Sequence, residues 1–424
     1  MKRRLLIILC ILIGITCGCT EKAGTDAVSE ATVTLGVQTI EQLQIKETAE
    51  QDVKSDYDPL NYENPKAIWF TMMDYKNILE GKSEKEFTDN AVSILKKIKD
   101  AGFNTIYVHV RPYNDAYYKS EIFPRADYYS DEMNYDPLEI IISEGHKAKL
   151  SVHSWINPLR CQTDAQLKEL DNKYIIKQWY DDNSKNGTYI IKINDRWYLN
   201  PAYEEVRNYV ADGVREIAEN YNIDGIHIDD YFYPTQEESF DTAAFKESGN
   251  SDLKQWRTEN IDNLVKGVYN TIKNVNPNII FGISPQGNID SDCNVLYADV
   301  KKWCSEEGYC DYIVPQIYYG FENESLPFEN TVNEWLKLNT CDNVKLIIGI
   351  CTYKIGKEDK WAGSGKNEWK ETKGIPAKQA EFVFKNKTDG IAVYSYESLF
   401  ADSIKEEQNK LTEVLIKNNQ GGVK

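Results

Sequence analysis

Asp224-Gly225-Ile226-His227-Ile228-Asp229-Asp230-Tyr231 is the stretch of the chain that decides the fold. It has the composition of a buried strand that becomes polar at its C-terminal end. Because successive side chains of a strand alternate between two faces, Ile226 and Ile228 share one face, and His227 and Asp229 share the other. In a barrel of parallel strands, the first face packs against the outer helices and the second reaches the mouth. A carboxylate at that place is a candidate catalytic group.

Short apolar runs rich in β-branched residues alternate with amphipathic helical stretches through the rest of the chain. Val206, Val210, Val214 and Ile217, for example, recur on one stripe of a helix before the central strand. Eight strand–helix units predict an α/β fold with a single (β/α)8 TIM barrel. The predicted strands are Ala67–Met73, Thr105–Val110, Leu150–Trp155, Gly225–Asp229, Ile279–Ser284, Tyr312–Ile317, Leu346–Cys351 and Ile391–Tyr396.

The first residues have the layout of a bacterial secretion signal. Lys2-Arg3-Arg4 precedes an apolar run that ends at Ile15, and this run is too short to span a membrane comfortably. Gly18-Cys19 then looks like a lipoprotein cleavage site. The sequence therefore predicts a signal peptide over residues 1–18, lipidation of Cys19, and anchorage to the membrane at the cell surface or envelope. Plain secretion and a retained anchor are the alternatives.

Residues 19–64 are polar and acidic and lack helical periodicity, which predicts a flexible tether before a barrel domain over residues 65–418. The formal net charge is −18, and loss of the three positive charges of the signal takes it to −21. This charge argues against nucleic acid as a partner and favours a neutral substrate over an anionic polymer held by charge. The six cysteines after Cys19 show no CxxC spacing, so no cysteine metal site is predicted, although some could pair outside the cytosol. The oligomeric state stays open.

The connection from Asn157 to Asn200 is too long for a plain loop after the third strand. A hairpin is predicted around Asn186-Gly187, and the insertion is expected to rise over the barrel mouth. Its aromatic residues suit either a wall for sugar rings or the small core of a folded surface insertion. These residues are Trp179, Tyr180, Tyr189 and Trp197.

Alternation on the other strands, together with the mouth-side loops, predicts polar and aromatic side chains at the C-terminal ends of at least six strands. A purely structural barrel would carry Val, Ile and Leu there. Aromatic faces stack on sugar rings, and His, Arg, Asn and Gln bind hydroxyl groups, so the pattern predicts a cleft for a polysaccharide. The predicted substrate-binding residues are His109, Arg111, Asp115, His153, Trp155, Asn157, His227, Ser284, Gln316, Tyr318 and Tyr396.

Cleavage of a glycosidic bond requires two carboxyl groups, one acid and one base or nucleophile. Asp229 is the leading candidate for nucleophile or base, because it faces inward at a strand end. Asp230 and Glu397 are the candidates for the acid. Asp229 and Asp230 can cooperate only if the strand ends between them. A structural role for Asp229, bound to Arg111 or to a loop amide, is the alternative.

His109, His153 and His227 are predicted to point inward on neighbouring strands and, with Asp229, could form a metal site. Hydroxyl recognition and control of nearby pKa values are the simpler interpretation, so neither a metal nor another cofactor is predicted. The chain has no glycine-rich phosphate loop. Gly282-Ile283-Ser284-Pro285 also lacks the second glycine of a serine-esterase elbow.

Motifs spread in order over residues 65–400 together resemble the glycosyl-hydrolase-like family 10 proteins, bacterial envelope barrels often found as lipoproteins. The resemblance implies a TIM barrel of glycoside hydrolase type, with bacterial wall glycan as the leading substrate class. Asn114 stands where the family usually has glycine. The matching segments are Tyr107–Pro112, Asn114–Ala116, Tyr135–Leu138, His153–Arg160, Leu199–Pro201, Asp224–Pro234, Gly282–Pro285, Asp311–Tyr318 and Ser395–Leu399.

The central strand also looks like the fourth-strand motif of α-amylase-type barrels, in which the final Asp is the nucleophile, but His227 replaces the expected arginine. A chitinase-like motif shares Asp224 and Asp229, but Tyr231 stands where the catalytic Glu would be. We therefore expect a surface lipoprotein that hydrolyses a β-linked cell-wall glycan such as peptidoglycan. The alternatives are a non-catalytic glycan-binding envelope protein and a metal-dependent polysaccharide deacetylase or hydrolase.

Overall fold

The computed structural model describes residues 57–386 and 388–418. The predicted signal peptide, Cys19 and most of the predicted tether lie outside the described residues. The end of that tether, residues 57–64, lies against the barrel, where the Tyr57 hydroxyl and the Leu60 amide both donate to Asp224. Within the described part of the chain, no helix combines the length and the apolar character that a membrane crossing requires.

Eight parallel strands close into a barrel, which confirms the predicted TIM barrel. All eight predicted strands are present. Strands are numbered along the chain, with bounds β1 Lys66–Phe70, β2 Thr105–Arg111, β3 Ser151–Ile156, β4 Arg160–Thr163, β5 Ile190–Ile193, β6 Arg196–Leu199, β7 Gly225–Ile228, β8 Ile280–Ile283, β9 Tyr312–Ile313, β10 Lys345–Cys351 and β11 Gly390–Tyr394. Around the barrel the order is β1-β11-β10-β9-β8-β7-β3-β2.

Helices cover the outside of the barrel and follow the strands in sequence. Asp136 shows how one of them starts, because its carboxylate accepts from the backbone amides of Leu138 and Glu139 while Pro137 occupies the first turn. The helices are α1 Met72–Leu79, α2 Glu84–Asp100, α3 Pro137–Lys147, α4 Asp164–Glu169, α5 Ile175–Asp181, α6 Glu204–Asn220, α7 Thr242–Ser248, α8 Leu253–Val275, α9 Ile289–Asn294, α10 Val300–Trp303, α11 Phe328–Leu338, α12 Glu368–Glu371, α13 Ile375–Lys385, α14 Tyr396–Leu399 and α15 Lys405–Lys417.

Strand β7 places its two faces as the alternation predicts. Ile226 and Ile228 are fully buried in the layer between strands and helices. His227 points into the barrel, where its ring stacks on Tyr107 at a centroid distance of 4.2 Å. Gly225 is required at the start of this strand, because a Cβ there would lie 2.6 Å from the imidazole of His153. The strand therefore carries Asp229 to the mouth on its inner face.

The predicted inward orientation of Arg111 is wrong. The register between β2 and β3 shifts between His109 and Arg111, so one extra residue reverses the alternation at the end of β2. The Arg111 guanidinium consequently lies outside the barrel wall, 4.4 Å from the ring of Phe123. A Cβ on Gly213 of α6 would touch it, so the close approach of this helix depends on that glycine.

The insertion after β3 is present and folds as a small antiparallel sheet in the order β4-β6-β5. The predicted position of its hairpin turn is wrong, because β5 and β6 are joined at Asn194-Asp195 and Asn186-Gly187 lies before β5. Trp179 packs on Tyr189 and on Tyr209 of α6, with centroid distances of 5.3 and 5.1 Å. The aromatic residues thus form a core for the insertion, and they do not line the cleft at the mouth.

Candidate active site

A cleft of about 600 Å³ opens at the C-terminal ends of the strands. This is the end of a TIM barrel at which active sites lie. Aromatic, cationic and acidic side chains line its wall. Among them are the predicted site residues His109, Trp155 and Asp229. Its wall includes Thr71, His109, Tyr113, Trp155, Arg160, Asp229, Tyr231, Tyr353, Lys357, Tyr394 and Glu397.

Asp229 is the hydrogen-bonded carboxylate of this cleft. Its Oδ2 accepts from Trp155 Nε1 at 3.0 Å and from Asn157 Nδ2 at 2.7 Å. Its Oδ1 accepts from the backbone amide of Tyr231 at 3.3 Å. The side chain is only 3% exposed, so its geometry is fixed by protein donors before any substrate binds.

The hydrogen bonds of Asn157 determine the state of His109. Since the amide nitrogen of Asn157 donates to Asp229, its oxygen faces His109 and accepts from Nε2. Burial lowers the pKa of His109 to about 3, so the ring is neutral and its Nδ1 is an acceptor. That Nδ1 is buried and has no partner among the described residues. The site therefore holds a buried acceptor without a partner in the described part of the chain, on a ring that stacks against Trp155.

Burial and, to a smaller extent, the negative charge of neighbouring Asp230 together raise the pKa of Asp229 to about 8. Asp230 is held by the side-chain amides of Gln316 at 3.2 Å and Gln286 at 3.4 Å. Burial also raises the pKa of Asp230. Because the two charges repel, the pair retains a proton near neutral pH. Strand β7 ends at Ile228, which allows the two carboxyl groups to lie near each other.

Glu397 provides a second carboxylate on the cleft wall. It lies in the short helix α14, directly after β11, and is exposed. In the order of the barrel, β11 and β7 are four strands apart, so Glu397 and Asp229 come from opposite sides of the mouth. Asp230 does not line this cleft. The cleft is thus flanked by Asp229 on one side and Glu397 on the other.

His153 and His227 point inward as predicted, but they lie in the barrel interior and not on the cleft wall. Trp69 Nε1, which can only donate, bonds to His227 Nε2 at 3.2 Å, so the other ring nitrogen of His227 donates to the Tyr312 hydroxyl. That hydroxyl donates to His153 Nδ1 at 2.7 Å, and His153 Nε2 donates to Ser151. Burial lowers the pKa of both histidines. They are neutral members of a hydrogen-bonded core.

Three other predicted binding residues are also placed away from the cleft wall. Asp115 is buried and accepts from the backbone amide of Tyr113 at 2.8 Å. Ser284 is buried, and its carbonyl accepts from Gln316 at 3.0 Å. Tyr396 packs against Phe70 and Phe400 because β11 ends at Tyr394, so strand alternation no longer holds at position 396.

Gln316 and Tyr318 support the site from its edge. Gln316 orients Asp230, as described above. The Tyr318 ring contacts the rings of Tyr353 and Tyr394, with centroid distances of 6.1 and 5.7 Å, and these two tyrosines line the cleft. Tyr318 therefore positions aromatic residues of the wall.

Sequence reasoning gave no role to Arg160, Tyr113 and Tyr231, which form a stacked cluster on the cleft wall. The Arg160 guanidinium lies 4.0 Å from the Tyr231 ring and 4.7 Å from the Tyr113 ring. Arg160 does stand at the end of the segment His153–Arg160 that carries the family resemblance. That segment was the signal that could have identified it.

The described residues contain no group of three or more His, Cys, Asp or Glu side chains arranged to hold a metal ion. His109, His153 and His227 are separated by depth in the barrel, and each has other partners. The cysteines of the described region are free thiols, namely Cys161, Cys293, Cys304, Cys310, Cys341 and Cys351.

The fold and this cleft define a TIM barrel of the glycoside hydrolase class. The chain belongs to the glycosyl hydrolase-like 10 family, whose sequence model matches residues 65–363. This membership confirms the resemblance noted from the motifs.

Two curated relatives each match about two thirds of the chain. Glycosyl hydrolase YngK of Bacillus subtilis is 31% identical over 302 residues, which is 65% of this chain and 58% of the relative. Glycosyl hydrolase DigH of Escherichia coli K12 is 29% identical over 307 residues, covering 66% of this chain and 69% of the relative. The match thus spans less than two thirds of the length of YngK.

Solved structures agree on the fold. The glycoside hydrolase domain of PgaB (BpsB) from Bordetella bronchiseptica superposes with a TM-score of 0.55 at 9% identity, covering 83% of this chain and 99% of that domain. An α-amylase from Geobacillus thermoleovorans gives a TM-score of 0.50 at 11% identity, covering 84% and 79% of the two chains. At these identities the likeness concerns the barrel alone.

Proposed function

We propose that this protein is a glycosidase that hydrolyses a bacterial cell-wall glycan, either peptidoglycan strands or a related amino-sugar polymer. The observation that carries the proposal is the pair Asp229 and Glu397 on opposite sides of one aromatic cleft. Family membership and the names of the curated relatives support the reaction class. The wall-glycan substrate follows from the resemblance to envelope proteins.

The electrostatics favour Asp229 as the general acid, which reverses the roles expected from the sequence. A carboxyl group with a pKa of about 8 holds its proton at neutral pH and can deliver it to the leaving oxygen of a glycosidic bond. Glu397 is exposed and takes the role of base or nucleophile. Asp230 acts through Asp229, because its charge helps to retain the proton.

The rest of the cleft positions the sugar. Trp155 and Tyr394 offer aromatic faces on its wall, and His109 offers the unpartnered Nδ1 acceptor. His109 also stacks on Trp155 with a centroid distance of 3.7 Å, so the two rings form one rigid unit. A sugar ring held against this unit would present its glycosidic oxygen to Asp229.

We also propose that the protein works outside the cytoplasmic membrane, anchored by a lipid on Cys19. The support comes from the signal-like segment Lys2–Ile15 and from Gly18-Cys19. Metabolic labelling with a radioactive or clickable fatty acid tests this proposal. Label on the wild type and none on Cys19→Ala is the expected outcome, and equal labelling of both would contradict it.

Incubation of residues 20–424 with peptidoglycan glycan strands, intact and stripped of peptides, tests the activity, with mass spectrometry of the products. Asp229→Asn runs alongside as the matched variant. New reducing ends from the wild type alone are the expected result. No fragments from either substrate, with the glycan still bound, would move the assignment to a binding protein.

A further inference from the structure

Arg160 is a cationic side chain that lines the same cleft as Asp229. It begins β4 of the insertion, where it pairs in register with Tyr198 of β6. Its guanidinium stacks between the rings of Tyr231 and Tyr113, at 4.0 and 4.7 Å. The insertion therefore contributes to the cleft through a cation and not through its aromatic core.

The stacked geometry leaves the donors of Arg160 unused. Stacking occupies the flat faces of a guanidinium, whereas its N–H groups point outward in the plane. Within residues 57–386 and 388–418, Arg160 makes no side-chain hydrogen bond and no ion pair, and its buried Nε has no partner. Arg257 shows the contrast, since it is fully buried and donates to both oxygens of Asp241.

Among the described residues, Arg160 lacks a directly bonded carboxylate even though the chain is acidic. Acidic side chains outnumber basic ones, 67 to 49, yet no carboxylate of the described residues bonds to Arg160. Asp229 and Asp230 are bonded to Trp155, Asn157, Gln316 and Gln286 instead. Lys357 also lines the cleft and has no described ion pair. Arg160 and Lys357 thus face the cleft as cations beside the carboxylates of Asp229 and Glu397. The charge of Arg160 opposes the rise in the pKa of Asp229 and Asp230 without a direct bond to either.

We propose that Arg160 binds a carboxylate of the substrate, so that the cleft selects a glycan whose sugars carry an acidic substituent near the cleaved bond. A planar guanidinium fork matches a carboxylate in two parallel hydrogen bonds, which a hydroxyl group cannot reproduce. This inference rests on the proposed function and names its substrate class more closely. It also replaces the expectation, drawn from net charge, of a neutral substrate.

Binding of matched oligosaccharides by calorimetry tests this assignment in the full-length protein carrying Asp229→Asn, which prevents turnover. The ligands are peptide-stripped peptidoglycan oligomers, the same oligomers with their carboxyl groups reduced to alcohols, and chitin oligomers of equal length. Because peptides are absent, the only carboxylates that these oligomers can offer to Arg160 are those of the sugars. We expect the acidic oligomer to bind at least about 10-fold more tightly than the reduced one.

Three variants identify the group responsible. Arg160→Gln should remove the preference for the acidic oligomer, and Arg160→Lys should keep part of it because the charge remains. Arg196→Gln is the matched control, since Arg196 also stacks on Tyr113, at 3.8 Å, but does not line the cleft. It should keep the full preference. Melting curves verify that each variant is folded.

The outcomes separate this inference from the proposed function. Equal binding of acidic and reduced oligomers, or a preference that survives Arg160→Gln, overturns the role of Arg160 even if the wild type cleaves glycans. An Arg160-dependent preference without cleavage by the wild type supports the inference and removes the enzymatic proposal. Failure to bind any of the three ligands overturns both.

Discussion

Asp224 and Asp229 lie at the two ends of the same short strand, β7, and their surroundings differ sharply. Asp224, at the bottom of the barrel, is fully buried and its carboxylate accepts four hydrogen bonds. Asp229, at the mouth, accepts three and lies beside a second carboxylate. The donors to Asp224 are Tyr57 Oη, Leu60 N, His146 Nε2 and Val152 N, at 2.5 to 2.9 Å.

The difference separates a structural carboxylate from a reactive one. Four donors saturate the carboxylate of Asp224. They fix residues 57–64, α3 and β3 to strand β7. At the mouth, buried polar atoms remain without partners, including His109 Nδ1 and Arg160 Nε. Unsatisfied buried groups are costly, and these two belong to residues that line the cleft, whereas the carboxylate of Asp224 is fully paired.

The largest expected effect follows from Asp229→Asn. An amide cannot deliver the proton, and general acid catalysis contributes about 10²- to 10⁴-fold, so we expect kcat/KM to fall about 10³-fold or more. The fold should persist, because the amide occupies the same volume. Steady-state kinetics at pH 6 and a melting curve measure the two effects. Activity within about 10-fold of the wild type would exclude Asp229 as the acid.

Asp224→Ala should act on stability instead. Removal of the acceptor leaves four donors facing a cavity, and we expect a loss of at least about 3 kcal/mol in the free energy of unfolding. Urea denaturation measures this loss. Asp224→Asn keeps one acceptor oxygen and should cost less. Activity per folded molecule should be unchanged in Asp224→Asn, and a selective loss of activity would show that the bottom of the barrel takes part in catalysis.

Asp230→Asn probes the coupling at the mouth through pH. A general acid works while protonated, so kcat/KM should fall as the pH rises through the pKa of Asp229, about 8. Loss of the neighbouring negative charge lowers that pKa, and the alkaline limb should move to lower pH by about one unit. The measurement is kcat/KM between pH 5 and 10.

A matched control for that profile is Asp262→Asn. Asp262 is a buried carboxylate bonded to Lys302 and Trp303, remote from the cleft. Its variant should leave the alkaline limb in place. If both variants move the limb equally, the shift reports a general change in charge and not the coupling between Asp229 and Asp230.

Strand patterns predicted the barrel and the face of most inner residues, because alternation and apolar periodicity are local properties. Alternation gives the face of a side chain but not its depth, so His153 and His227 were expected at the mouth and lie below it. A single extra residue in β2 turned Arg111 outward. Tyr396 turned away because β11 had already ended.

Arg160 illustrates a different limit. Its position depends on the pairing of β4 with β6, a contact between residues far apart in sequence within an insertion. No local pattern specifies that pairing. Asn114, in contrast, was informative, since it stands where the family usually has glycine and adopts a left-handed φ of 60°, which Asn tolerates better than most residues.

The smallest expected effect tests whether the four hydrogen bonds at the bottom of the barrel together saturate the carboxylate of Asp224. Tyr57→Phe removes one of the four donors to Asp224, and the cost should be about 1 kcal/mol because the other three remain. In an Asp224→Asn background the same change should cost less, and the double-mutant cycle isolates the pair. A cost above about 3 kcal/mol, or no coupling between the two positions, would contradict shared saturation. In the first case the bond from Tyr57 would dominate the stabilisation around Asp224, and the contrast between the two ends of β7 would rest on a single bond.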